Sequence, residues 1–460
     1  MARPSLSGGD SKLGYSNLYG RLLNEGPYGM LDLRLDILAP KPGTTDTWTS
    51  VQARIEGGSV GNASPAIGRL DNFRLSQLVA TAGNVLLDHV TWRLGTLDMY
   101  LGELGLYDTR PAQIFFETLG LSGQYQLGML EILLGVGDSG YFLKRERYHT
   151  VLTGGGYVRL RPIEQLEFAL GGQYMFEPEG RGNRFAPHRT PGVRYEDYVR
   201  KEVLSEFLAD NPGQIMNFPR PEPTSATSWK AIGYLGFGRL GPLVWNNVFG
   251  TLEQRHPDTY YTEESGGESR DIYLAGLTDE RYQVTLGDEA QIRIIPDKLD
   301  AVWSGLMLYS WDADDKVRAS EANRTVYSTV LRLQYYLTHT FHLLGETSYA
   351  HEISRNGNLY RSSSSSVFAN ANGIADSRGL EYGDESTRNT WQGKAGVVIN
   401  PGGRGIFTRP SLRILYGTQY SSQTNAFGNS YPETLESFSY FGSPNLHWHH
   451  LVALEAEAWF

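Results

Sequence analysis

The chain of 460 residues contains no cysteine, which excludes disulfides, thiolate metal sites and thiol nucleophiles together and leaves the redox compartment open. It also lacks long apolar runs. No stretch approaches the roughly 18 uninterrupted apolar residues of a spanning helix, and the best candidate, residues 127 to 136, is short and interrupted by Glu131. A basic excess is missing as well: the formal charge is -10, the wrong sign for a general nucleic-acid binder. Residues 1 to 14 are rich in Ser and Gly without the apolar core of a secretory signal, and are expected to form a flexible segment at a mature or engineered start. G-x-S-x-G, P-loop and H-E-x-x-H patterns are absent.

What the chain has is 53 Gly, 28 Tyr and 9 Trp, with a mean hydropathy of -0.37. A transmembrane barrel tolerates that low average, because lipid-facing and lumen-facing residues alternate and each strand carries half the hydrophobic signal. The end of the chain alternates in this way. Val452, Leu454, Ala456, Ala458 and Phe460 make one face; Ala453, Glu455, Glu457 and Trp459 make the other. Leu31, Leu33, Leu35 and Ile37 likewise oppose Asp32, Arg34 and Asp36, and Leu331 and Leu333 oppose Arg332 and Gln334.

Extending the period-two pattern predicts strands at 15 to 23, 28 to 38, 47 to 57, 71 to 82, 85 to 96, 113 to 125, 128 to 137, 150 to 160 and 165 to 175. The series continues at 227 to 239, 242 to 254, 280 to 295, 298 to 312, 324 to 337, 340 to 353, 390 to 400, 406 to 419 and 446 to 460. From the fourth strand onward, tight links alternate with long ones. The expectation is an all-β fold: one transmembrane antiparallel β-barrel over residues 15 to 460, of 18 strands, with short periplasmic turns and long external loops in the bacterial outer membrane. Its surface would meet outer-membrane lipid and lipopolysaccharide. Charges of both signs on the inner faces predict a hydrated lumen. The largest insertion, 176 to 226, has a basic Pro- and Gly-rich half and a half with helical apolar spacing, so it either folds into the mouth or caps the outside.

Several aromatics share the parity of the polar face. Trp459 falls with Glu455 and Glu457, Phe407 with Arg409 and Arg413, Tyr19 with Arg21, and Trp48 with Arg54. An aromatic facing water beside hydrogen-bonding groups suits a carbohydrate solute, whose rings have an apolar face and a hydroxyl rim; a rim girdle is the blander reading. Trp92 and Trp391 have lipid-face parity and read as girdle residues.

The segment Ile406-Phe407-Thr408-Arg409-Pro410-Ser411-Leu412-Arg413-Ile414 resembles the I-W-S-R-P-x-I/L-R motif in the penultimate strand of maltoporins, the eighteen-stranded sugar porins. Glu457-Ala458-Trp459-Phe460 is similar to their aromatic terminus, and Leu18-Tyr19-Gly20-Arg21 to their opening strand. The resemblance covers about the last 120 residues. It implies passive passage of sugars along an aromatic slide of Tyr19, Phe407 and Trp459, flanked by a polar track of Arg21, Arg409, Arg413, Glu455 and Glu457, in a homotrimer. Trp48 and Arg54 join this set on parity.

A second reading keeps the barrel and has it export a polysaccharide delivered by a periplasmic partner. A less selective general porin is a third. An outer-membrane hydrolase is the reading from another class, resting on His447, His449 and His450 and on Asp312, Asp314 and Asp315. The histidines lack a clear third ligand or base, and the acidic run lacks the spacing of an EF loop. The residues therefore argue for no cofactor, no metal and no enzymatic activity.

Overall fold

The computed structural model describes residues 5–7, 17–24, 28–39, 44–58, 74–140, 150–178, 226–255, 260–265, 268–273, 281–312, 324–354, 387–422 and 447–458. Its strands are β1 (Ser5–Ser7), β2 (Tyr28–Leu38), β3 (Trp48–Gly58), β4 (Arg74–Gly83), β5 (Val90–Tyr100), β6 (Gln113–Leu127) and β7 (Leu130–Asp138). They continue as β8 (Leu152–Ile163), β9 (Leu166–Glu177), β10 (Ala226–Leu240), β11 (Leu243–Arg255), β12 (Tyr260–Ser265), β13 (Glu268–Tyr273) and β14 (Arg281–Ile295). The last are β15 (Leu299–Asp312), β16 (Arg324–Tyr336), β17 (Phe341–Ser354), β18 (Thr387–Ile399), β19 (Ser411–Ser421) and β20 (Trp448–Glu457).

Eighteen of these form one antiparallel sheet. Each strand pairs with its neighbour in sequence from β2 to β11. The ladder passes from β11 to β14 and on to β20, which takes β1 on its other edge. The remaining two strands, β12 and β13, make a separate hairpin within a long connection, which the alternation pattern did not anticipate. Tight links such as Gly128-Met129 and Gly241-Pro242 turn at a glycine with φ of +56° and +60°, a conformation costly for other residues.

Burial is inverted relative to a water-soluble protein. Leu35 is 67% exposed and Leu170 74%, whereas Arg332 is 2% exposed and Lys394 3%. Along strands such as β2, β16 and β19 the apolar side chains face outward and the polar ones mostly inward, as the alternation predicts. The outer surface toward the long connections also carries an aromatic belt, including Tyr309, Tyr327, Tyr349, Trp391 and Trp448. Trp391 sits there as expected, its ring edge-on to Trp448.

The sheet is rolled into a barrel around two inward segments. The connection between β5 and β6 crosses the interior: Leu101, Leu104, Leu106 and Tyr107 pack with Tyr157, Tyr234, Phe249, Val302 and Val330, which come from walls many strands apart. The Tyr107 hydroxyl donates to Ser328 Oγ at 3.1 Å. The second segment, residues 18 to 24, lies against β16 to β20. Leu22 and Leu23 form a smaller apolar cluster with Leu344, Val398, Leu415, Leu451 and Ala453.

Three expectations are corrected by this arrangement. The strand expected over 15 to 23 is not a wall strand from residue 17 on: Asn17–Tyr19 is a single 3-10 turn, and Gly20 (φ +81°) and Leu23 (φ +65°) divert the chain inward. The strand expected from 406 begins at Ser411, since Gly403 and Gly405 adopt positive φ and Pro410 has no N–H to give a ladder. The lumen is not uniformly hydrated, because these inward segments fill much of it with apolar side chains. The interior of the 176 to 226 insertion, residues 179 to 225, lies outside the described residues, as do Asp314 and Asp315.

Candidate functional site

The inner surface divides into a packed wall and an open one. On the packed wall, β14 to β20, inward polar groups are closed off by the two segments. Glu289 of β14 accepts the backbone N–H groups of Gly105 and Leu106 at 2.9 and 2.8 Å, one on each carboxylate oxygen. Farther round, Glu346 of β17 accepts from Arg332 at 2.6 Å and from Lys394 at 2.8 Å, all three fully or almost fully buried. Two cations around one carboxylate balance the desolvation of the group that each would otherwise suffer alone.

The open wall is β2 to β5. Here the inward residues Asp32, Arg34 and Asp36 stay exposed, and Gln52, Arg54, Gln77, Thr81 and Arg93 are half-buried. Their charges are paired along the surface. Asp32 accepts from Gln52 Nε2 at 2.7 Å and from Arg54 Nη2 at 2.8 Å, and Arg34 Nε donates to Asp36 at 2.9 Å. Near the long-connection end Arg74 binds Glu117 at 2.6 Å and Glu56 at 3.3 Å, while Tyr28 donates its hydroxyl to Glu56 at 2.9 Å. At the opposite end Trp48 lies across Gly83 of the neighbouring strand, where a Cβ would stand 2.0 Å from the indole nitrogen. Glycine is therefore what admits the half-buried indole to the inner face.

Of the ten residues singled out from sequence, Trp48 and Arg54 are on the open wall. Arg21, Arg409, Arg413, Glu455 and Glu457 come together at the tight-turn end of the packed wall. Glu457 binds Arg409 at 2.7 Å, Arg413 at 2.8 Å and Arg21 at 3.3 Å; Glu455 lies 3.7 Å from Arg413. Burial pulls the Arg409 guanidinium down to about 10, with Glu457 opposing the shift, so it remains charged at neutral pH.

The aromatic members fare differently. Tyr19 is fully buried, its hydroxyl donating to Glu352 at 2.9 Å, so it is not an aromatic face offered to water. Phe407 is 36% exposed and stands 6.4 Å from Trp245, in the turn ahead of β19 rather than on a strand. Trp459 lies outside the described residues. The structure thus brings the five charged residues together, buries Tyr19 and leaves Phe407 in a turn.

The histidines do not converge. His449 faces inward and is buried, whereas His450 contacts the Tyr416 hydroxyl at 2.8 Å on the outer surface, and His447 stacks on Tyr420. No group of three His, Cys, Asp or Glu suited to a metal occurs among the described residues. The alternation pattern leaves open whether residues 97 to 112 fold inward, and gives no sign of the clasp on Glu289. A signal was available: Leu101, Leu104, Leu106 and Tyr107 are too apolar for a solvated connection.

No family model matches the sequence, and no curated protein matches it. Among solved structures, the chain is similar to the outer membrane channel DcaP of Acinetobacter baumannii, at 10% identity over 70% of this chain and 79% of that one, with a TM-score of 0.42. It is also similar to the outer membrane protein OpdK from Pseudomonas aeruginosa, at 10% identity over 94% and 92%, with a TM-score of 0.40. For OpdH of the same organism the identity is 8% over 93% and 92%, with a TM-score of 0.38.

Proposed function

We propose that this barrel is a bacterial outer-membrane channel passing small polar solutes, carbohydrates among them, along the inner face of β2 to β5. The inverted burial carries the reading: an apolar exterior demands lipid, and a hydrated wall of side chains inside it offers a route across. Charges paired as Asp32 with Arg54 and Arg34 with Asp36 present no single sign, which suits neutral hydroxylated solutes better than ions. Each hydroxyl exchanges one modest hydrogen bond for the next, about 1 kcal/mol apiece, so no step becomes a trap. Trp48 supplies an aromatic contact of the kind a sugar ring stacks on. The outer-membrane setting follows from a single-chain antiparallel barrel with short turns at one end and long connections at the other.

The test is single-channel conductance in planar bilayers titrated with maltodextrins and, separately, acidic polysaccharides. Concentration-dependent block by neutral oligosaccharides, weakened in Trp48→Ala, is expected. Conductance unaltered at saturating sugar overturns the carbohydrate reading, and a purified barrel that never conducts overturns the channel itself.

A further inference from the structure

The two inward segments are held in chemically different ways. Removing the loop 101–112 would strip Glu289 of the two N–H groups on its carboxylate. Removing residues 18 to 24 would cost Glu352 the Tyr19 hydroxyl and Glu457 the Arg21 guanidinium, while three carboxylates beneath them stay compensated. Glu346 keeps Arg332 and Lys394, Glu455 keeps Arg413, and Glu457 keeps Arg409 and Arg413. What this segment supplies to the wall is mainly backbone. Ser328 Oγ donates to the Leu18 carbonyl, and Ser348 Oγ and Lys394 Nζ donate to the Tyr19 carbonyl at 2.9 and 3.0 Å. The Leu23 N–H donates to Glu455 at 3.3 Å.

The same wall holds an unused amide. Gln419 is 0% exposed, yet among the described residues neither its oxygen nor its nitrogen has a hydrogen-bond partner. It stands on the inner face between Gln392 and His449 in the ladder. Beside it, Asn24 Nδ2 donates to Gln392 Oε1 at 3.1 Å while the Asn24 oxygen has no partner among the described residues. An unpaired buried amide costs stability unless something completes it. Serine hydroxyls, amides and mutually neutralised charges together suit a neutral ligand rich in hydroxyls, since each hydroxyl both donates and accepts.

We propose that the inner face of β16 to β20 is a second binding face for a neutral polyhydroxylated solute, and that residues 18 to 24 are its tethered occupant, displaced when solute binds. The proposal rests on the channel reading for access to the lumen. Leu22 and Leu23, packed on Leu344, Val398, Leu415 and Leu451, are the apolar hold that a solute must overcome.

Because the chain has no cysteine, an introduced one is a clean reporter. Ser348→Cys, beneath the segment, is treated with a water-soluble maleimide in the full-length barrel, with and without maltohexaose. Leu86→Cys, at a position 91% exposed, serves as control. Maltohexaose is expected to speed labelling at 348 several-fold and to leave position 86 unchanged. A disulfide between Leu18→Cys and Ser328→Cys should abolish the acceleration, and reduction should restore it. Gln419→Ala should raise the sugar concentration required by about tenfold, the worth of one well-made hydrogen bond. If Ser348→Cys does not fold, Tyr19→Cys reports the same release from the segment's side. Labelling indifferent to sugar, or acceleration that survives the lock, overturns the proposal. Sugar-dependent labelling in a barrel that does not conduct overturns the channel reading and leaves the binding face standing.

Discussion

The walls β2 to β5 and β14 to β20 are built from the same alternation and end in opposite states. On the first, Asp32, Arg34 and Arg54 meet water and pair loosely along the surface. On the second, Arg332, Glu346 and Lys394 are sealed beneath a strand-like stretch that never joined the sheet. An inward charge is thus a permissive feature: it serves as channel lining or as anchor for a plug, depending on what crosses the lumen to meet it.

The largest test of this contrast is Glu346→Gln, which leaves two buried cations without their carboxylate and should cost about 3 to 5 kcal/mol. Urea titration in detergent, followed by the loss of the heat-modifiable band on gels, measures it; a loss below about 1 kcal/mol would mean that water already reaches the packed wall. Next is Leu33→Arg, at the centre of β2 on the outer face, expected to destabilise by about 2 to 4 kcal/mol if that face meets the bilayer midplane. Refolding yield into lipid vesicles reads this effect, and a neutral result would remove β2 from the lipid boundary. Smallest is Arg54→Ala on the open wall, which should change stability by about 0 to 1 kcal/mol while altering ion selectivity in reversal-potential measurements. If Arg54→Ala unfolds the barrel as Glu346→Gln does, the two walls are not distinct.

The wall strands were legible because lipid and water write a period of two into the residues that separate them. From β2 to β20 the alternation located the wall strands to within a few residues, apart from the start of β5, five residues later than expected, and that of β19, displaced by as much. There Ile406 to Pro410 mimic alternation while Gly405 and Pro410 forbid a ladder. Parity states which face a side chain takes, and nothing about what lies against that face. Tyr19 and Arg21 were read by parity as one face of a strand, whereas residues 18 to 24 as a whole lie inside the wall, and the burial of Tyr19 there was invisible. The contact of Glu289 with residues 105 and 106 spans more than 180 positions and leaves no local pattern. Trp48 was read by its parity with Arg54 on one strand, whereas the Gly83 that makes room for its ring lies across the ladder and left no mark in that pattern.

The loop 101–112 also constrains how the molecule can be assembled. It leaves the sheet near its beginning and is fastened to β14, β15 and β16, so its seat does not exist until the second half of the wall has formed. Once the walls surround it, a dozen residues with Glu289 clasped on their backbone have no easy route back out. The loop is therefore seated only as β14 to β16 form, and a chain halted before β14 would present Leu101, Leu104 and Leu106 to whatever solvent or chaperone surrounds it.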